Sequence, residues 1–341
     1  MLLSGCVAIP TGDELRQDPS PHRLPDAPQG IVDGRQEFRN YFCESLAETT
    51  NTEVSADRCE NWLLRLADET MGSARTGGSK ETNLQILFVT GAFAECFGES
   101  ARPFGSAITK LSGDHYRFGT IEVGGRSGTS HNAAQIATFL NEWPTDPDTP
   151  LIMIGYSKGT NDILQFLVDY PLAAERVDAV ISVSGAVRGS PLADRFGTLY
   201  HLLFSHLPSG HCEKGDDDVV HSLSTNVRKE WLESNPLPDT VRYYSLAAFT
   251  TKDRMARALI RPWEILFAES PRNDGQLLAQ DALIPGSTLL GYLNADHWAV
   301  AMEIEEDHEF FAGRDDPTPF PRKALLQAML WQVGRDLATS E

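Results

Sequence analysis

Leu151-Ile152-Met153-Ile154-Gly155-Tyr156-Ser157-Lys158-Gly159 is the stretch on which the reading of this chain turns. Leu151 to Ile154 is an unbroken apolar run, the signature of a strand buried on both faces. Behind it, Lys158 to Tyr170 reads as a helix that stops at Pro171. Between the two, Gly155 and Gly159 bracket a serine. Glycine lets the backbone turn sharply and keeps side chains off the neighbouring strand, so Ser157 is lifted above the sheet with its hydroxyl accessible. Strand, G-x-S-x-G and helix in this order make a nucleophile elbow.

Outward from the elbow, strands and helices alternate. Leu84 to Thr90 is a buried strand running into a loop at Gly91, and Ile121 to Val123 is a weaker one. Ser130 then caps a helix from His131 to Trp143. Val177 to Ser184, Val241 to Phe249 and Leu289 to Leu293 read as further strands. This alternation predicts an α/β fold, with a mostly parallel sheet covered by helices on both faces. In such sheets the chemistry sits at the carboxyl ends of the strands. The long connection Gly185 to Thr240 has room for an inserted cap or lid, about 195–240. Within it, Tyr200, Leu202, Leu203 and Phe204 fit either a pocket wall or an ordinary helix core, and Asp216-Asp217-Asp218 reads as a solvated loop tip.

A hydroxyl needs a base to act as a nucleophile at neutral pH, and the base needs a carboxylate to orient it. On this kind of sheet the chain order is serine, acid, histidine. His297, in N-A-D-H-W, follows the strand at Leu289 to Leu293 and is the expected base, whereas His308 lies in the acidic run E-E-D-H-E. Asp274, in R-N-D-G-Q, is the leading acid because Gly275 permits a tight turn beside the carboxylate. Asp281, in A-Q-D-A-L, is the alternative. Asp296 adjoins His297 and is expected to point elsewhere.

Four motifs in one order resemble the α/β-hydrolase superfamily in its bacterial lipase and esterase style. They are T-G-A-F at 90–93, G-Y-S-K-G at 155–159, S-G-A-V-R-G-S-P-L-A-D at 184–194, and N-D-G with N-A-D-H at 273–275 and 294–297. The resemblance covers roughly residues 84–300 and implies an α/β-hydrolase fold with a Ser157-Asp274-His297 triad. It supports Asp274, since the lipase acid is the Asp of N-D-G, and the spacing of 23 residues to His297 is also lipase-like. The family pattern assigns the oxyanion hole to the backbone N–H groups of Ala92 and Lys158, with Phe93 next in line. Lipases usually carry His-Gly where this chain has Thr90-Gly91, which affects the loop position but not a backbone donor. Many such lipases hold a structural Ca²⁺, yet no ligand set is legible here, and no cofactor or metal is assigned.

The N-terminus carries a separate signal. Leu3-Ser4-Gly5-Cys6 resembles the bacterial lipoprotein processing box, in which the cysteine is acylated, although the apolar run before it is only Met1 to Leu3. A start upstream would supply a full signal, and residues 1–30 then read as a lipid-anchor region and polar tether. Residues 31–80 read as an N-terminal helical segment, with helices at Arg35–Glu48 and Ala56–Glu69. Residues 81–310 form the catalytic domain and 311–341 a C-terminal helix. With Cys6 lipidated, Cys43, Cys59, Cys96 and Cys212 remain; a Cys43–Cys59 bridge would staple the two helices and leave Cys96 for Cys212.

The chain has 341 residues, 48 acidic against 29 basic, for a net charge of −19. That balance, with no Lys/Arg cluster, excludes a nucleic-acid binder and leaves a membrane contact only through a lipid anchor at Cys6. No apolar run is long enough to span a bilayer. The expected protein is an exported serine hydrolase, a carboxylesterase or lipase of the periplasm or outer membrane, taking a small or lipid-like ester. With the start as given, a cytoplasmic location is the alternative. The same triad would serve an amidase, peptidase or acyltransferase, and a non-catalytic binding lipoprotein on the same fold is the rival of another class.

Overall fold

The computed structural model describes residues 11–50, 59–70, 82–97, 102–113, 115–144, 146–195, 215–303 and 320–339. Apolar residues on successive positions of the central strands face opposite ways and so build two cores. Ile86, Phe88, Ile152, Ile154 and Ile181 point to one side of the sheet, where they meet Phe38, Phe42, Trp263, Leu325 and Met329 of three covering helices. Leu87, Val89, Met153 and Val180 point to the other, against Ile136, Leu140, Ile163 and Leu167. The sheet has eight strands: β1 (Val32–Asp33), β2 (Leu63–Leu64), β3 (Leu84–Val89), β4 (Tyr116–Ile121), β5 (Leu151–Tyr156), β6 (Ala179–Val183), β7 (Arg242–Ala248) and β8 (Thr288–Leu293). Their order is β1-β8-β7-β6-β5-β3-β4, all parallel, with β2 alone antiparallel against β8. The predicted α/β class and parallel sheet are what the structure has.

The helices Thr129–Glu142 and Lys158–Asp169 cover one face, and Arg35–Thr50, Arg257–Phe267 and Arg322–Ala338 the other. The expected strand at Ile121–Val123 lies earlier, at Tyr116–Ile121. It is the sheet's last strand and only half-buried, so Arg117 and Gly119 interrupt its apolar pattern; Gly119 is there because a Cβ would stand 2.7 Å from the Trp143 ring.

The N-terminal part differs more from expectation. The helix Arg35–Thr50 is present, but the helix expected at Ala56–Glu69 is not. Cys59 and Glu60 are helical, the chain then turns, and Leu63–Leu64 becomes β2. Burial against β8 overrides the helical periodicity here, and Arg39 secures β2 by donating to the Leu63 and Leu64 carbonyls at 2.7 and 2.9 Å. The described part of the segment expected to be helical thus contributes two short strands to the sheet besides the helix Arg35–Thr50. The Cys43–Cys59 disulfide is formed and joins the helix Arg35–Thr50 to the lead-in of β2. Cys212, His308, Cys6 and residues 196–214 of the expected lid, with its 200–204 apolar stretch, lie outside the described residues, as does any test of the Cys96–Cys212 pairing.

Residues 11–30 are not the free tether that their composition implies. Leu15 is buried among Leu64, Leu66, Phe249 and Tyr292, and the segment is laid along the edge of the body. Ser20 donates to Asp68, Arg35 donates to Ser20 Oγ at 2.5 Å, and the His22 N–H donates to the Tyr292 hydroxyl at 3.1 Å. No helix of the described residues is long and apolar enough to cross a membrane.

The disulfide closes a loop of sequence separation 16, for which chain entropy gives about 3 kcal/mol of stabilisation. Reduction, or Cys43→Ala with Cys59→Ala, is expected to lower the thermal midpoint by several degrees, measured by calorimetry with and without reductant. An unchanged midpoint would contradict a stabilising role.

Candidate active site

The elbow forms because two glycines let three backbones meet. A Cβ on Gly159 would stand 2.3 Å from the Val89 carbonyl oxygen, and one on Gly155 would stand 2.5 Å from the Thr160 Cα. No side chain fits at either place. The turn between them puts Ser157 at φ 54° and ψ −127°, a conformation an L-residue holds only under constraint. The constraint is a pair of backbone hydrogen bonds: the Ser157 N–H donates to Val183 O at 3.2 Å, and the Ala186 N–H donates to Ser157 O at 3.1 Å. Everything from Leu151 to Thr160 is buried except Ser157, which is partly exposed.

His297 begins a short helix, His297–Ala301, directly after β8. Its Nε2 lies 2.9 Å from Ser157 Oγ and its Nδ1 lies 2.7 Å from Asp274 Oδ2. The structure brings together the three residues expected from sequence, with His297 and Asp274 buried. Asp274 sits in a tight turn. Its Oδ1 accepts the N–H groups of Gln276 and Leu277 at 2.9 and 2.8 Å, which leaves Oδ2 for the imidazole. Gly275, at φ 90°, makes that turn possible. The His297 N–H also donates to the Asp274 carbonyl at 2.8 Å, so the two residues are joined through backbone as well as side chain.

Asp296 points away, as expected: Oδ1 caps the short helix through the Trp298 and Ala299 N–H groups, and Oδ2 accepts from the Ala256 N–H at 2.9 Å. Asp281, the alternative acid, is not in contact with the histidine. It faces Arg188, whose Nη1 is 3.8 Å away, and burial pushes its carboxyl up to about 6.

The loop after β3 lies against the elbow. A Cβ on Gly91 would come within 3.2 Å of Ser157 Cβ. Phe93, at φ 60°, donates its N–H to Gly125 O at 3.0 Å, whereas among the described residues the Ala92 N–H makes no backbone hydrogen bond. Lys158, as the first residue of its helix, has no intrahelical acceptor for its N–H. Two backbone donors beside the serine are therefore Ala92 and Lys158. The Lys158 side chain runs along the helix to Asp162, Nζ to Oδ1 at 2.6 Å, and both side chains are fully buried. Asn132 donates to the other Asp162 oxygen at 2.8 Å; burial raises the Asp162 carboxyl above its ordinary range against the opposing pull of Lys158 and Asn132. The Asp216–Asp218 run is engaged elsewhere: Asp217 pairs with Arg126 at 2.6 Å and Asp216 accepts the Gly128 N–H at 2.8 Å.

Sequence reasoning passed over three supports of the site. Tyr156, the residue before the serine, donates its hydroxyl to His297 O at 2.8 Å. Ser190 donates to Gln276 O at 2.6 Å and ties the G-S-P-L-A-D segment to the acid turn. Arg272, two residues before Asp274, is almost fully buried. The first could have been suspected from its place beside the serine; the other two depend on contacts between distant parts of the chain.

A serine at a strand-to-helix elbow, hydrogen-bonded through histidine to a carboxylate at the carboxyl end of a parallel sheet, defines a serine hydrolase of the α/β class. The comparison with solved structures narrows this. The metagenomic carboxyl esterase MGS0156 aligns with a TM-score of 0.81 at 35% identity, over 90% of this chain and 93% of that one. The mature lipase BlEst2 of Bacillus licheniformis aligns at 0.52 and 22% identity, over 67% of this chain and 89% of that one, a likeness of fold. No protein-family model and no curated protein matches the chain. The chain belongs to the α/β-hydrolase family that includes carboxyl esterase MGS0156.

Asp281 supplies a test of the assignment by pH. Its pKa in the folded chain lies above the ordinary value of 3.8, so between about pH 4 and 6 the folded state holds a proton that the unfolded state has lost. This group therefore costs stability as pH rises through that window. Asp281→Asn is expected to melt higher than wild type at pH 8, by the equivalent of roughly 3 kcal/mol, and to match it at pH 4, with ester hydrolysis retained. Loss of activity comparable to that of Asp274→Ala would restore Asp281 as the acid.

Proposed function

We propose that the protein is a serine carboxylesterase working through an acyl-enzyme. The observation that carries this is the continuous hydrogen-bonded chain from Asp274 through His297 to Ser157, in a chain of carboxyl-esterase kinship. Ser157 Oγ attacks the ester carbonyl carbon while His297 Nε2 takes its proton. The imidazolium so formed is held by Asp274, whose free oxygen faces Nδ1 and whose other oxygen is occupied by backbone donors. The carbonyl oxygen becomes an oxyanion and is met by the Ala92 and Lys158 N–H groups. Collapse breaks the bond to the alkoxy group, His297 returns the proton to it, and the alcohol leaves. Water, deprotonated by His297, then attacks the acyl-serine; the carboxylic acid leaves and Ser157 regains its proton.

A small or lipid-like ester is the substrate class. The Cys43–Cys59 disulfide favours an oxidising compartment, and with the L-S-G-C box it supports an exported lipoprotein anchored at Cys6.

Hydrolysis of p-nitrophenyl esters of graded chain length by wild type and variants tests the chemistry. Ser157→Ala and His297→Ala should each lose at least about 10⁴-fold in kcat, because nucleophile and base act as one unit. Asp274→Ala should lose roughly 10³- to 10⁴-fold. Turnover by Ser157→Ala close to wild type would end this reading.

The anchor is tested separately in the full-length protein expressed with an upstream signal. The mature chain is expected to begin at an acylated Cys6, and Cys6→Ser should move it from the membrane to the soluble fraction with specific activity on soluble esters unchanged. A soluble, unacylated wild type would remove the lipoprotein assignment.

A further inference from the structure

Arg272 is a buried cation with an unusual set of partners. Its Nε and Nη2 donate to Leu15 O at 3.1 and 2.6 Å, Nη2 also donates to Asp18 O at 2.8 Å, and Nη1 donates to Pro19 O. Every one of these acceptors is a main-chain carbonyl, and all come from one short segment more than 250 residues away in sequence. The guanidinium lies 5.6 Å over the Phe249 ring, an apolar floor that offers it no other acceptor. The N-terminal segment thus supplies the solvation that the buried guanidinium has lost.

The backbone of Arg272 belongs to the acid turn. Arg272 O accepts the Ala279 N–H at 3.0 Å, Asn273 bridges to Leu278, and the Asp274 N–H donates to Leu277 O at 3.1 Å. Residues 272–279 are a small closed unit, and that unit carries the carboxylate facing His297. Without its carbonyl cup, the guanidinium would be left unsatisfied against an aromatic ring, at a cost that the turn can relieve only by moving toward water. Any such movement is passed to Asp274 two residues on.

We infer that residues 11–24 act as a strap that positions the triad: Arg272, gripped by the Leu15, Asp18 and Pro19 carbonyls, holds the acid turn so that Asp274 meets His297. The inference rests on the reading of Asp274 as the triad acid. Arg272 is a positioning residue and touches no substrate. Elsewhere the strap is held to the body by the buried Leu15, by the Ser20 and His22 hydrogen bonds, by the Ala67 N–H donating to Arg16 O at 2.9 Å and by the Arg23–Asp68 ion pair at 2.9 Å, and a cavity of about 800 Å³ lies between its first turn and the 249–254 loop. Its hydrogen bonds to the acid turn are those made by Arg272.

The test uses the full chain with a protease site inserted at the exposed Pro25-Asp26 turn, folded first, then cut and freed of the strap. For a soluble p-nitrophenyl ester, kcat should fall about 10- to 100-fold with KM within about twofold, the size expected of a misplaced catalytic group. A synthetic peptide of residues 11–25 should restore kcat. Arg272→Met in the uncut chain should show the same loss of kcat with KM nearly unchanged, without response to the peptide. Wild-type kcat in either the stripped enzyme or folded Arg272→Met would overturn the inference, as would a loss confined to KM. Asp274→Ala separates the two levels: a mild effect there undermines the acid assignment itself, whereas a severe one beside a neutral strap removal defeats only the strap.

Discussion

The site depends on one close approach of backbone to backbone, where the start of the helix Lys158–Asp169 meets the end of β3 at Gly159 and Val89. A single methyl group at Gly159 would stand inside the Val89 carbonyl. That contact draws the helix down onto the sheet and forces Ser157 into a backbone conformation worth about 1–3 kcal/mol of strain, which the surrounding β-sheet hydrogen bonds sustain. The serine's exposure, the direction of its hydroxyl and the orientation of the Lys158 N–H all follow from that approach.

The other two members of the chain are held by a division of labour within one carboxylate. Two backbone N–H groups take Oδ1 of Asp274, so only Oδ2 is left to face the imidazole, and the main-chain bond from His297 to Asp274 keeps the two loops in register. Position here is set by backbone, not by long side chains, and little side-chain entropy remains to be lost when the transition state forms.

The parts of this arrangement visible in sequence are the parts with local chemistry. The elbow is legible because strand, glycines and helix are contiguous. Asp274 and His297 are legible because each follows a strand pattern and sits in a turn-forming context. The strand β2 is not legible: two residues carry no periodicity, and only the open edge of β8 makes them a strand. The strand β4 is blurred by Gly119, whose reason is Trp143. The strap is the plainest case. Residues 11–30 have the composition of a linker, and what orders them lies far away in sequence, with an arginine about 250 residues downstream and Tyr292 among their partners. No window of sequence contains both partners.

Lys158 and Asp162 carry a consequence for how the protein comes into being. Both are removed from water, and the second oxygen of Asp162 finds its hydrogen-bond donor in Asn132, from a different helix. Gly159 in turn needs the end of β3, some seventy residues earlier in the chain. The elbow therefore cannot assemble as a local turn. It closes only when elements distant in sequence have docked. A nascent or partly unfolded chain carries the motif G-Y-S-K-G without carrying a nucleophile, and the hydroxyl acquires its reactivity in the same event that completes the sheet.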